Sequence, residues 1–308
     1  VQGFNNNSDN YFEGYEPIRK YLEGEATKVN LDGKKLKEIC GVGMYSHWFT
    51  KSQWDLMKEE YYKKIQNYYQ GQAFKKEYQE LKDFIGKSFY DSFGCQTVLE
   101  KGSVSGEFRV PYYKKIIGGG FVTIHKENGI LYKIDLSKVM FSSGNIAERI
   151  RMGQVSSPDE IIIDMFSGIG YFTLPLSKYG RSRVWALEKN PDSYNLLLEN
   201  IHLNKVSDRV IPVNTDCLDF NPNFKADRII MGYFSDDEKF LLKALGMIKD
   251  GGIIHYHNTV PEKSESSFKK NLDKIFSDRG RTLEPLYYRK IKKYSPGVWH
   301  VVFDFKVH

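Results

Sequence analysis

The sequence is poor in the features that would place a protein in a membrane, outside the cell or around a metal. No stretch approaches the roughly 20 consecutive apolar residues of a membrane span, and mean hydropathy is −0.50. The first residues, Val1-Gln2-Gly3-Phe4-Asn5, lack the basic-then-apolar pattern of a secretion signal. A soluble protein of the cytoplasm is expected. The three cysteines, Cys40, Cys95 and Cys217, are far apart and odd in number, so neither a disulfide framework nor a clustered zinc site is expected. Buried thiols are the simpler reading.

Charge of one sign is also scarce: an excess of six cations over 308 residues is spread evenly, with +3 in residues 1–140 and +3 in 141–308. That favours a polyanionic partner only weakly. The 21 tyrosines and 20 phenylalanines offer core material or stacking surfaces for unpaired bases.

The chain length suits one large or two smaller domains. Glycines 14, 24, 33, 41 and 43 read as loops and short strands, with a frayed end over 1–10 and an asparagine run at 5–7. From 52 to about 87 the pattern turns helical, with Phe74, Tyr78, Leu81 and Ile85 recurring at helix spacing. Residues 121–125 and 130–134 read as a hairpin across Asn128-Gly129, a pair that tolerates the positive φ of a tight turn. A smaller α+β region over 1–135 is therefore expected.

Beyond Pro158 strands and helices alternate. Strand is read at 161–163, helix at 171–179, strand at 183–188, helix at 191–204, strand at 226–233, helix at 236–248, strand at 252–257 and helix at 265–277. This predicts an α/β, Rossmann-like doubly wound parallel sheet over 136–308. Its close is unusual, with two successive strands, 286–293 and 298–307, joined at Ser295-Pro296-Gly297.

Asp164-Met165-Phe166-Ser167-Gly168-Ile169-Gly170 follows the first of these strands and opens a helix. Glycines let the backbone approach a ligand, and a helix N-terminus offers unpaired N–H groups. The third glycine of a dinucleotide loop is missing, since position 173 is Thr. Glu188 ends the next strand, where a carboxylate can accept both ribose hydroxyls, and Asp216 follows a third, where it can accept from an adenine amine. Asp164, an acid beneath the loop, suits a cation such as a sulfonium better than a pyrophosphate. The set predicts an adenosine compound without phosphate.

Asp-x-Phe-x-Gly-x-Gly, a strand-end Glu, a strand-end Asp and a closing hairpin together resemble the class I S-adenosylmethionine-dependent transferases. A second block, residues 138–152 with Phe141, Ser142, Gly144, Glu148, Arg149 and Arg151, is similar to the segment entering the catalytic domain of two tRNA-modifying families. These are the guanine-N1 methyltransferases acting 3′ of the anticodon and the wybutosine-synthesising aminocarboxypropyltransferases. The likeness covers about residues 110–308. The methyltransferases carry an Asn-Leu-Pro type motif after the fourth strand; this chain has Met231-Gly232-Tyr233 there and His255-Tyr256-His257-Asn258 later, both similar to the aminocarboxypropyltransferases.

The resemblance implies S-adenosylmethionine as cofactor, held by Ser142, Arg149, Asp164, Phe166, Gly168, Gly170, Glu188, Asp216, Cys217 and Gly232, with Arg149 pairing with its carboxylate. It implies tRNA-Phe as partner at its anticodon region, no membrane, no metal and a monomer. The activity implied is transfer of the 3-amino-3-carboxypropyl group to the tricyclic wybutosine precursor base. The alternatives are guanine-N1 methylation at the same position, or a tRNA-binding module with a vestigial cofactor fold. Tyr233, His255 and His257 are candidates for the substrate side. His255 and His257 also share a strand face at a spacing that a metal could use, although no third ligand is near in sequence. Across 279–293 six cations, among them Arg289, Lys290, Lys292 and Lys293, face Glu284 alone and alternate with tyrosines, which suits RNA phosphates. An edge strand guarded by lysines has the same composition. Lys114-Lys115 and Lys63-Lys64 are lesser candidates, and no catalytic base is assigned.

Overall fold

The computed structural model describes residues 73–106, 108–234 and 238–308. Expectations for residues 1–72, including Cys40, Lys63-Lys64 and the first part of the helix read from 52, lie outside the described residues. The described chain forms two compact units, one containing residues up to 122 with 136–140, the other 123–135 with 141–308. The hairpin expected in the N-terminal region therefore belongs to the second unit.

In the first unit, helix α1 (Ala73–Phe93) precedes an antiparallel pair, β1 (Thr97–Ser105) and β2 (Val110–Gly118). The helix runs beyond the expected end at 87, and β1 was not read in the sequence, because Lys101, Gly102 and Ser103 interrupt its alternation. Cys95 here is only partly buried.

The second unit opens one residue into β3 (Val122–Glu127), which is joined to β4 (Ile130–Asp135) at Asn128 and Gly129 with φ of 52° and 73°. Next come α2 (Ile146–Val155), β5 (Ile161–Asp164), α3 (Thr173–Lys178), β6 (Arg183–Glu188), α4 (Pro191–Leu203), β7 (Val210–Asn214) and β8 (Ala226–Met231). Helix α5 (Glu238–Met247), β9 (Ile248–Pro261), α6 (Glu265–Ser277), β10 (Leu283–Ser295) and β11 (Val298–Val307) complete it. The seven strands lie in the order β10-β11-β9-β8-β5-β6-β7, with β5 to β9 parallel and β11 antiparallel to both β9 and β10. This is the doubly wound sheet with a closing hairpin that the alternation predicts.

Apolar residues cover both faces. Met152 of α2 and Leu176 of α3 pack on Ile162, Val184 and Ile230, while Leu241 and Met247 of α5 and Leu272 and Phe276 of α6 pack on Ile163, Ile229, Ile254 and Phe305. Each such large side chain taken from water stabilises the fold by about 1.5–3 kcal/mol. Helix α4 begins where Asn190 caps it, its side chain accepting from Asp192 N at 3.0 Å with Pro191 next. Two asparagines of α4 then act as a substitute strand for the hairpin. Asn204 exchanges hydrogen bonds with both main-chain groups of Leu131, at 2.9 and 2.7 Å, and Asn200 does the same with Lys133, at 2.6 and 3.2 Å.

The longest departure from the sequence reading is β9, which runs four residues further than the expected 252–257 at each end. Its partner β8 ends level with Tyr256, so residues 257–261 pair only with β11 and project past the C-terminal edge of the parallel strands.

Candidate functional site

The carboxyl ends of β5, β6, β7 and β8 meet at the point where the strand order reverses, between β5 and β8. An open α/β sheet forms its ligand crevice there. Main-chain bonds fasten the loop after β5 to its neighbours: Met165 N donates to Ile230 O at 3.0 Å and Ser167 N to Leu187 O at 2.9 Å. Gly168 and Gly170 have φ of 56° and 99°, and a Cβ at Gly170 would lie 2.8 Å from Leu174 Cγ. Both positions therefore require glycine.

Glu188 reaches across from β6. Its Oε2 accepts from Gly168 N and its Oε1 from Asn190 N, both at 2.7 Å. Burial raises its pKa, and these main-chain donors work against the rise. Each oxygen retains a second lone pair for a ligand hydroxyl. Asp216 accepts from Leu218 N at 3.0 Å and lies 3.0 Å from the Lys189 ammonium. Burial acts upward on its pKa, but the Leu218 N–H and Lys189 hold it below the ordinary value.

Asp164 is placed differently from expectation. It is fully buried beneath the loop, accepting from Thr173 Oγ1 at 2.7 Å and from Phe166 N at 3.4 Å. Burial pushes its carboxyl up to about 7, so it braces the loop and is sealed from the solvent a ligand would displace. Cys217 is likewise core, packed with Leu187 and Met231, its thiol pushed up to about 12 by burial and by Asp216. At β8 a Cβ on Gly232 would lie 3.0 Å from the Phe172 ring, and next to it Tyr233 stacks on Phe166 with centroids 5.2 Å apart.

Arg149 has a partner that the sequence does not indicate. Its guanidinium is buried and bidentate on Glu127 of β3, with both contacts at 2.6 Å, and it also donates to Ser142 O at 3.0 Å. The guanidinium is thus already paired within the protein. Burial acts upward on Glu127, but hydrogen bonds from His125 and Arg149 and the charge of Arg149 hold it at about 2. Nothing in the sequence marks Glu127, because its partner is 22 residues away on another element. The Ser142 hydroxyl instead accepts from Lys292 Nζ at 2.8 Å.

Residues 123–281 match the family described as TRM5/TYW2 methyltransferase domain, starting where the second compact unit starts. The chain belongs to this family. It is 48% identical over 233 residues to a Pyrococcus horikoshii protein named tRNA(Phe) (4-demethylwyosine(37)-C(7)) aminocarboxypropyltransferase, covering 75% of this chain and 84% of the relative. A crystal structure of M. jannaschii TYW2 in complex with AdoMet superposes with a TM-score of 0.59 at 48% identity, covering 64% of this chain and 90% of that one. A Methanocaldococcus jannaschii tRNA (guanine(37)-N(1))-methyltransferase, Trm5b, is 32% identical, covering 75% of this chain and 66% of its own.

Two expectations for this TRM5/TYW2 domain shift on inspection of the long strands. His255 and His257 are both buried rather than substrate-facing. His255 lies 2.8 Å from Asp304 and 2.6 Å from Arg228, in a line of charges running from Glu148 through Arg151, Asp304 and Arg228 to Glu160. His257 stacks on Phe172 and lies 3.1 Å from His300. Burial lowers the pKa of both, so each is neutral at pH 7. Strand parity put them on one face, but the partners came from β11. Among the described residues no group of three His, Cys, Asp or Glu is placed to hold a metal, and no helix is long and apolar enough to cross a membrane.

On β10, Arg289, Lys290 and Lys293 are exposed and Lys292 is half-buried. Lys290 pairs with Glu265 at 3.0 Å, and Lys290 and Lys293 both lie within 6 Å of the Trp299 ring. Being an edge strand, β10 carries these cations along the margin of the sheet.

The residues that are open fit an adenosine group. Two carboxylates with spare acceptor capacity stand at adjacent strand ends beside a loop that admits no side chain. A pyrophosphate would meet those same acids.

Proposed function

We propose that this protein transfers the 3-amino-3-carboxypropyl group of S-adenosylmethionine to carbon 7 of 4-demethylwyosine at position 37 of tRNA-Phe. Glu188 holds the ribose hydroxyls, Asp216 the adenine amine, and Gly168 and Gly170 let the main chain pass beneath. Asp164, through Thr173, keeps the loop in shape. Tyr233 and Phe166, stacked at the end of β8, form the apolar wall against which a flat base can lie. Once bound, S-adenosylmethionine supplies a sulfonium with three activated carbons, and orientation selects the one that is transferred.

The observation that carries this reading is Met231-Gly232-Tyr233 at the end of β8. A side chain at Gly232 would press on Phe172, so the amide of an Asn-Leu-Pro type motif has no counterpart there. The greater likeness to the aminocarboxypropyltransferase than to the N1-methyltransferase supports the same choice. The β10 cations Arg289, Lys290 and Lys293 meet tRNA phosphates, and the N-terminal region docks the tRNA body. The enzyme acts as a cytoplasmic monomer.

The test is incubation with precursor tRNA and S-adenosylmethionine labelled separately in the methyl and the aminocarboxypropyl carbons. Only the second label is expected to enter RNA. Methyl label in RNA would replace this reading with guanine-N1 methylation, and no cofactor binding at all would leave a vestigial fold.

A further inference from the structure

We propose that Tyr294 stacks on the unpaired nucleobase adjoining position 37, so that the tip of the β10–β11 hairpin holds the RNA strand beside the target base. This deepens the function proposed above and rests on it, since the strand is that of the tRNA.

A line of rings climbs from the glycine loop to this tip. Phe172, two residues after Gly170, stacks on His257 with centroids 5.1 Å apart, and His257 lies 5.3 Å from the ring of His300. His300 packs 4.4 Å from Phe234, and Phe234 meets Tyr294 edge to face at 5.8 Å. Phe172, His257 and His300 are buried, Phe234 is partly buried, and Tyr294 is 51% exposed. One end of the line is therefore anchored in the core and the other opens to solvent. A ring held from behind by Phe234 loses little further side-chain freedom when a flat partner lies on its open side.

Height above the sheet decides which base this is. Ser295 pairs with Val298 and Val298 with Pro261, five positions beyond Tyr256, the residue level with the end of β8. At 3.3 Å per residue, Tyr294 next to Ser295 stands roughly 16 Å past the end of β8. Phe234 intervenes, adjacent to Tyr233 in the chain and in ring contact with Tyr294. The base on Tyr294 is thus a neighbour of the target base that lies against Tyr233.

Charge decides what kind of flat partner fits. From 287 to 294 the strand carries Arg289, Lys290, Lys292 and Lys293 and no acid. Arg289 and Lys293, within five residues of Tyr294, are exposed. A nucleotide brings a phosphate with each base, and aromatic rings interleaved with cations are the surface that single strands bind. A stack is non-ionic, unlike the phosphate contacts of the same strand, and salt separates the two.

Binding of precursor tRNA to the full chain, measured over a range of salt, tests this. Tyr294→Ala is expected to weaken binding about five- to a hundred-fold, the contribution of one base stack, with the slope against log salt unchanged. Tyr294→Phe keeps the wild-type affinity, and both variants bind S-adenosylmethionine as the wild type does. The wild-type protein is expected to bind tRNA lacking the base at one of the two positions next to 37 as weakly as Tyr294→Ala binds intact tRNA, and Tyr294→Ala to lose nothing further on that tRNA. Unchanged affinity in Tyr294→Ala, or an equal loss in Tyr294→Phe, overturns the stack. A fall in S-adenosylmethionine affinity or unfolding temperature alongside the tRNA loss overturns it in favour of a structural role. Full wild-type affinity for both abasic tRNAs overturns it in favour of a sugar–phosphate contact. A wild-type protein that binds no tRNA overturns the proposed function and the stack together, whereas wild-type binding with an unaffected Tyr294→Ala overturns the stack alone.

Discussion

At the β6–β7 end of the sheet, Glu188 and Asp216 accept main-chain N–H groups and one lysine, and among the described residues neither meets an arginine. At the α2 end every arginine named above is met by a carboxylate, and Arg149 and Glu148 are almost wholly buried. The contrast separates two uses of charge. Acids with spare lone pairs can take neutral hydroxyls and amines from a ligand. Ion pairs removed from water fix how α2, the β3–β4 hairpin and β11 are placed around the crevice, and have little left to offer a ligand.

The sharpest way to break that distinction is Glu127→Gln, which strips the charge from the Arg149 pair and leaves a buried guanidinium. A loss of about 3–5 kcal/mol in denaturant unfolding is expected; a change near zero would mean that the pair is not structural. Asp164→Asn comes next, and its effect depends on pH. Because the folded-state carboxyl is raised to about 7, the protonated form is favoured on folding, and the wild-type protein loses stability as pH rises from about 4 through 7. That loss reaches up to about 4 kcal/mol. The variant should therefore gain stability over wild type at pH 8 and little at pH 5, as read from thermal unfolding at both.

On the ligand side, Glu188→Gln should weaken S-adenosylmethionine and methylthioadenosine alike, by about ten- to a hundred-fold. Calorimetry that showed a loss for only one of them would move the ribose elsewhere. Replacing Arg289, Lys290 and Lys293 by Gln should lower the slope of log affinity for tRNA against log salt by about one per phosphate contact, with cofactor affinity unchanged. Asp216→Asn is the mildest: its side chain is partly exposed and shared with Lys189, so an adenosine ligand should weaken by about 1 kcal/mol or less.

The same contrast marks what could be read in the sequence. The placement of the glycine loop and the strand-end acids was legible because its logic is local: a glycine loop, then an acid at the end of each following strand, at spacings set by one strand–helix repeat. The ion-pair side was not, because Arg149 meets Glu127, Arg151 meets Asp304 and Lys292 meets Ser142 across 22, 153 and 150 residues. Arg149 therefore looked available for a carboxylate and Lys292 looked like one lysine in a basic run. His255 and His257 were correctly placed on one face, yet only the register with β11 brings Asp304 and His300 to them. Asp164 and Cys217 showed the opposite limit: they sit at strand ends, as expected, but their side chains turn into packed surroundings that composition does not disclose.

The most direct test of the proposed transfer is the nucleoside released in a single turnover with precursor tRNA and S-adenosylmethionine. The account predicts methylthioadenosine in amounts equal to the modified base; S-adenosylhomocysteine as the released product would contradict it.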